Sequence, residues 1–134
     1  MILVDSSVWI DFFSSSPGPA GRELQRLIAE GEPLALTGIV VTEVLQGLTR
    51  HVETVERYLA PWDLLEPRGL ETYIKAAALF RLARSRGITP TTVDTLIAAI
   101  ALEHGASVFS LDRDFAHLAR VAHLHLHWPV AGKP

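Results

Sequence analysis

The sequence predicts an α/β domain with a mainly parallel central sheet flanked by helices, and three observations support this. Short apolar runs alternate with helix-patterned stretches throughout the chain. The helical stretches carry end signals: a proline where one begins and glycines where several stop. The 134 residues, free of repeats, low-complexity tracts and linkers, make one ordinary domain, expected over residues 1–134.

Residues 2–4, Ile-Leu-Val, form an apolar run ending at Asp5, the pattern of a buried strand. A helix is expected through residues 8–13, with Ser6 or Ser7 near its N-cap. Residues 14–18 read as loop by composition. Residues 19–31 read as a helix with Pro19 at its start, Leu24, Leu27 and Ile28 on one face and Gly31 at its end. Residues 34–36 fit a second strand, 39–48 and 52–59 two helices, and 62–65 a short strand between prolines. The longest helix is expected over 70–86, closed by Gly87. A helix over 93–104 follows, capped by Thr92 and stopped by Gly105. Residues 107–111 read as a strand, 113–119 as a short helix and 125–128 as a last strand. Residues 131–134 are expected to be a loose tail.

Composition narrows the function. The hydrophobic fraction is 49% and the mean hydropathy +0.25, and a chain of this size can bury roughly two-thirds of its unfolded surface. There are no cysteines, which excludes disulfides and a thiolate zinc site and fits a cytoplasmic location. Charge interrupts every apolar stretch well before about 18 residues, so no membrane span is expected. The start, Met-Ile-Leu-Val-Asp, has neither a basic leader nor a cleavage pattern, so no signal peptide is expected. A net charge of −3 gives no overall attraction to phosphate. A nucleic-acid substrate would have to be held by local arginines and a metal ion.

The carboxylates carry the chemistry. In an open parallel sheet, ligands bind beyond the carboxyl ends of the strands. Asp5 and Asp112 each follow an expected strand, so both arrive at that rim, and Asp94 reaches it from the first turn of the helix leading into the later strand. Glu43 stands mid-helix among Ile39, Val40, Val44, Leu45 and Leu48. Each acid alone has a plainer reading. Asp5, Asp112 or Asp114 can cap a helix, Asp94 can answer a helix dipole, and Glu43 can lie on a solvated edge. Taken together, they repel one another unless a divalent cation offsets the charge. Oxygen-only ligands suit Mg²⁺ or Mn²⁺, and a hard cation with a bound water beside carboxylates is equipped for phosphodiester hydrolysis.

Four segments in order resemble one known family. Val4-Asp5-Ser6-Ser7-Val8-Trp9-Ile10-Asp11 resembles the opening of PIN-domain toxins of the VapC family. Ile39-Val40-Val41-Thr42-Glu43-Val44-Leu45-Gln46-Gly47 resembles their second motif. Asp94-Thr95-Leu96-Ile97-Ala98-Ala99-Ile100-Ala101, followed by Glu103-His104-Gly105, resembles the third, and Ser110-Leu111-Asp112-Arg113-Asp114-Phe115 the last. The resemblance implies a PIN-like three-layer fold and a Mg²⁺- or Mn²⁺-dependent endoribonuclease. It further implies a homodimer, RNA as substrate, and inhibition by a VapB-like antitoxin in a type II toxin–antitoxin pair. It implies Asp5, Glu43, Asp94, Asp112 and Asp114 as the catalytic pocket, with Asp5, Asp94, Asp112 and Asp114 holding metal. Glu43 would then position or deprotonate the attacking water, and Ser7 and Ser110 would add orienting hydroxyls. Serine stands at positions 6 and 110 where the family often has threonine, which keeps the hydroxyl.

Other readings remain open at this level. A non-catalytic PIN-like scaffold predicts a missing acid, and none is missing. A phosphatase of the Asp-x-Asp kind needs an acid at position 7, which is Ser. A 5′ nuclease acting on DNA is close in chemistry but belongs to longer chains. His123, His125 and His127 fit a half-exposed edge strand or, alternatively, a zinc site. Trp9, Phe12 and Phe13 read as core or an antitoxin groove rather than a platform for RNA bases, and Arg81, Arg84 and Arg86 as solvated helix ends or phosphate contacts.

Overall fold

An Ile-Leu-Val run offers water no polar face. In the structure, a computed structural model describing residues 1–127, it forms β1 (Ile2–Val4), with Leu3 and Val4 fully buried. β2 (Leu34–Leu36) is buried along its whole length. With β3 (Asp63–Leu64) and β4 (Ser107–Phe109) they make a parallel sheet in the order β3-β2-β1-β4. Leu3 pairs with Ala35 on one side and Val108 on the other. Inner parallel strands are covered on both faces, which is why β1 and β2 read as continuous apolar runs.

Seven helices connect and cover the sheet among the described residues: α1 (Ser6–Phe12), α2 (Pro19–Ala29), α3 (Gly38–Gln46), α4 (Val52–Leu59), α5 (Leu70–Ser85), α6 (Thr92–His104) and α7 (Arg113–Ala119). Every expected element but the last strand is present, with shifts at the ends. Asp5, not a serine, occupies the N-cap of α1. Thr91, not Thr92, caps α6, because its Oγ1 accepts the Asp94 N–H at 3.1 Å. Gly105 ends α6 in the left-handed region at φ 65°, where its N–H reaches the last carbonyls of the helix. β4 stops two residues early, since the Leu111 and Asp112 N–H groups turn to serine hydroxyls instead of a neighbouring strand. The expected last strand shrinks to a single parallel bridge between Leu126 and Val108, flanked by hydrogen bonds from Val108 N to His125 O and from His127 N to Val108 O. Trp128 at its far end and the tail at 131–134 lie outside the described residues.

One hydrophobic core joins both faces of the sheet. Trp9 is wholly buried in it and packs among Phe12, Phe13, Tyr58 and Trp62, so it offers no face on which a base could stack. Phe115 and Leu118 anchor α7 beneath β4, each burial contributing roughly 1.5–3 kcal/mol. Arg81, Arg84 and Arg86 are exposed at the end of α5, as solvated helix ends are. No helix among the described residues is long and apolar enough to cross a membrane.

Candidate active site

Parallel strands deliver the residues that follow them to one rim, and β1 and β4 are neighbours. Asp5 leaves β1 with its N–H bonded to Phe109 O at 2.9 Å, which ties the ends of the two strands together. Its side chain is 5% exposed and makes no cap bond to α1, so the capping reading of Asp5 fails. Oδ2 instead accepts Ser110 Oγ at 2.6 Å and Ser7 Oγ at 3.1 Å. The same hydroxyls accept in turn: Ser7 Oγ takes the Leu111 N–H at 3.0 Å and Ser110 Oγ takes the Asp112 N–H at 2.9 Å. Asp5, Ser7 and Ser110 thus form one network that fixes the chain between β4 and α7.

Asp94, Asp112 and Asp114 form a second group. One carboxylate oxygen from each lies within 4.8 Å of the others. Asp94 starts from the first turn of α6, whose N-terminus faces the carboxyl ends of the strands, and is 7% exposed. Its Oδ2 is buried and has no hydrogen-bond partner among the described residues. Burial pushes its pKa up to about 8; the nearby Asp114 carboxyl and the charge of Asp112 add to the rise, while Thr91 opposes it. Asp112 is the N-cap of α7, its Oδ1 accepting the Asp114 N–H at 2.9 Å. Its capping role is therefore real, and it is combined with membership of the acidic group. The chain is already helical at Arg113, so the start of α7 brings Asp112 and Asp114 to the same side.

Three hard oxygen donors close together, one of them from a buried aspartate whose Oδ2 has no hydrogen-bond partner among the described residues, fit a divalent cation of the Mg²⁺ or Mn²⁺ kind. Asp5 and Glu43 stand outside this group of three.

Glu43 is half-buried on α3, where Val40 and Val44 hold the helix to the core. Its Oε1 accepts Ser6 Oγ at 3.0 Å. Sequence reasoning gave that donor only a place near the helix N-cap, and a contact between residues 37 apart leaves no local trace. The Thr91 cap was more accessible, since Thr91-x-x-Asp94 has the spacing of a capping box. Among the histidines, His127 Nε2 contacts Glu23 Oε2 at 2.9 Å and its ring packs edge-on against Phe109. His123 and His125 are exposed, and among the described residues the only metal-competent group is the acidic one. These histidines do not stand on an edge strand, because the run pairs only through the bridge at Leu126 and His127 turns inward to Glu23.

Comparison with known proteins agrees with this geometry. A family model described as PIN domain matches residues 2–121. Ribonuclease VapC11 of Mycobacterium tuberculosis is 33% identical over 129 residues, covering 92% of this chain and 96% of that protein. Among solved structures, FitAcB from Neisseria gonorrhoeae aligns with a TM-score of 0.72 at 22% identity, over 97% of this chain and 99% of that one. VapBC2 from Rickettsia felis, bound to a DNA fragment from its promoter, aligns with a TM-score of 0.73 at 18% identity, over 95% and 98%. The solved structures share the fold.

Proposed function

The chain belongs to the PIN-domain family, among its VapC ribonucleases, and from that premise we propose that it is the toxin of a type II toxin–antitoxin pair, an endoribonuclease whose acidic pocket works with Mg²⁺ or Mn²⁺. The observation that carries the reading is the approach of Asp94, Asp112 and Asp114 carboxylate oxygens to within 4.8 Å of one another, with Asp94 Oδ2 buried and without a hydrogen-bond partner among the described residues.

Asp94, Asp112 and Asp114 would hold the ion, and Asp5, on the neighbouring strand end, would add a further carboxylate. When bound, the ion makes water acidic enough to attack and offsets charge on the phosphoryl oxygens. Ser7 and Ser110 keep Asp5 in one rotamer, since both donate to the same oxygen. Glu43 accepts the proton from the water as it attacks phosphorus in line with the departing oxygen. The net charge of −3 leaves RNA binding to local cations.

The partner is a VapB-like antitoxin, and the active form is a cytoplasmic homodimer of single-domain chains spanning 1–134. The exposed apolar side chains Leu70, Tyr73 and Ile74 on α5, beside a groove of about 330 Å³ between α5 and α6, support the dimer.

The test is cleavage of RNA by the purified chain. Cleavage should stop on exhaustive EDTA treatment and return with Mn²⁺. Undiminished cutting without a divalent ion overturns the mechanism.

A further inference from the structure

Three consecutive residues leave the carboxyl end of β1 and bond in two directions. Asp5 and Ser7 turn toward Ser110 and the chain beyond β4. Ser6 turns to the other side and donates from Oγ to Oε1 of Glu43 at 3.0 Å. The topology requires this split, because β1 lies between β4 and β2, and α3 is the helix that follows β2.

Ser6 is the first residue of α1, and the N-cap position belongs to Asp5, so its hydroxyl is not spent on the helix end. Packing between α1 and α3 does not need it either: Val8 and Trp9 on one helix and Val40 and Val44 on the other already bury those faces. The apolar face of α3 fixes the backbone of Glu43 and leaves the end of a flexible side chain to find its own place. Ser6 supplies what holds that end. The second oxygen, Oε2, accepts no hydrogen bond from any described residue.

We infer that Ser6 is a positioning residue for hydrolysis: its hydroxyl fixes Oε1 of Glu43 so that Oε2 is presented to the attacking water. This rests on the reading of Glu43 as the group that takes the water's proton. Ser6 touches neither water nor phosphate in this role and acts only through Glu43. Threonine at this position keeps the donor, and alanine removes it.

The experiment compares Ser6→Ala, Ser6→Thr, Glu43→Gln and the double variant Ser6→Ala with Glu43→Gln. It measures kcat and KM for RNA cleavage, with melting temperature alongside. Ser6→Ala should lower kcat about tenfold, a fraction of the roughly 100- to 10,000-fold that a general base contributes, with KM little changed. Ser6→Thr should restore kcat, and the double variant should be no slower than Glu43→Gln alone, since the hydroxyl then has nothing to position. A crystal structure of metal-free Ser6→Ala should show the Glu43 carboxylate displaced or spread over rotamers. Native kcat in Ser6→Ala beside a crippled Glu43→Gln overturns the positioning role and leaves Glu43 as base. A further tenfold loss in the double variant also overturns it, because Ser6 would then act elsewhere. Native cleavage by Glu43→Gln overturns the reading of Glu43 and the inference with it. If Ser6→Ala does not fold, Ser6→Cys, a weak donor of similar size, is measured against the same outcomes.

Discussion

Ser110 Oγ donates to Oδ2 of Asp5 at 2.6 Å, joining residues 105 apart in the chain. The same oxygen atom accepts the Asp112 N–H, so one hydroxyl sets both the rotamer of Asp5 and the turn that presents Asp112. Ser110→Ala should lower RNA cleavage about 10- to 100-fold, the range for groups that orient metal ligands, while circular dichroism stays native. Ser110→Thr should keep most of the activity. Steady-state cleavage rates of the two variants check this, and native turnover in Ser110→Ala would make the bond merely structural.

The sheet was legible because its inner strands are buried on both faces, and a run such as Ile2-Leu3-Val4 admits few other places. Helix ends were legible where one residue carries the signal, as Pro19 and Gly105 do. They were missed where neighbours are chemically alike: Thr91 and Thr92 differ only in which hydroxyl meets the Asp94 N–H. β4 was read too long because Leu111 continues its apolar pattern, while the N–H of Leu111 goes to Ser7. The acids of the site could be named from motif order. Their division into a group of three and two separately tethered carboxylates depends on tertiary contacts, such as Ser6 to Glu43, that no spacing encodes.

Asp94 gives the metal-free protein a pH dependence. Its folded-state pKa is raised to about 8, against roughly 4 in an unfolded chain. An acid raised in this way favours the fold while neutral. Its contribution is complete below about pH 4 and is lost as pH climbs through about 8. Metal-free protein should therefore lose stability from Asp94 between those limits. Asp94→Asn should raise its melting temperature at pH 8 by about 4 °C or more, the shift that roughly 1 kcal/mol produces in a domain of this size. Added Mn²⁺ should reverse the order, stabilising the native protein and not the variant. Scanning calorimetry of both proteins at pH 5 and pH 8, in EDTA and in Mn²⁺, checks the sign. A variant less stable than the native protein at pH 8 in EDTA contradicts it.

Asp11 does work that Gly18, the N-cap of α2, has no side chain to do. Its carboxylate accepts the Gly18 N–H at 3.0 and 3.1 Å and the Gly21 N–H at 2.7 Å. Asp11→Ala should cost about 1–2 kcal/mol in urea unfolding, the scale of a lost N-cap. A Cβ added at Gly21 would lie 3.0 Å from both Asp11 Oδ2 and Pro17 Cβ. Gly21→Ala should therefore destabilise the protein even though alanine is the better helix former by roughly 1 kcal/mol. Gly47→Ala, where the nearest atoms are 3.7 Å away, should not. A Gly21→Ala variant as stable as the native chain would show that the Asp11 cap can yield.

Asp112 and Asp114 share a helix start, and their duties differ. Asp112 spends Oδ1 on the cap of α7 and is exposed; Asp114 is half-buried in the first turn; Asp94 is buried opposite them. Replacing Asp112 by Asn keeps an oxygen for the cap and leaves the charge of Asp114 in place, so α7 should start where it does now. Asp94 has no second carboxylate on α6 beside it to take over, and its Oδ2 has no other partner among the described residues. Asp112→Asn should therefore weaken Mn²⁺ binding about tenfold, and Asp94→Asn by about 100-fold or more, a difference of roughly 1.4 kcal/mol. Changing Asp112 and Asp114 to Asn together should match or exceed the loss at Asp94. Calorimetric titration of Mn²⁺ into the three proteins separates the cases, with melting temperatures in EDTA to confirm that α7 is intact. If Asp112→Asn alone abolishes binding in a protein that melts normally, Asp112 is a primary ligand and Asp114 cannot replace it.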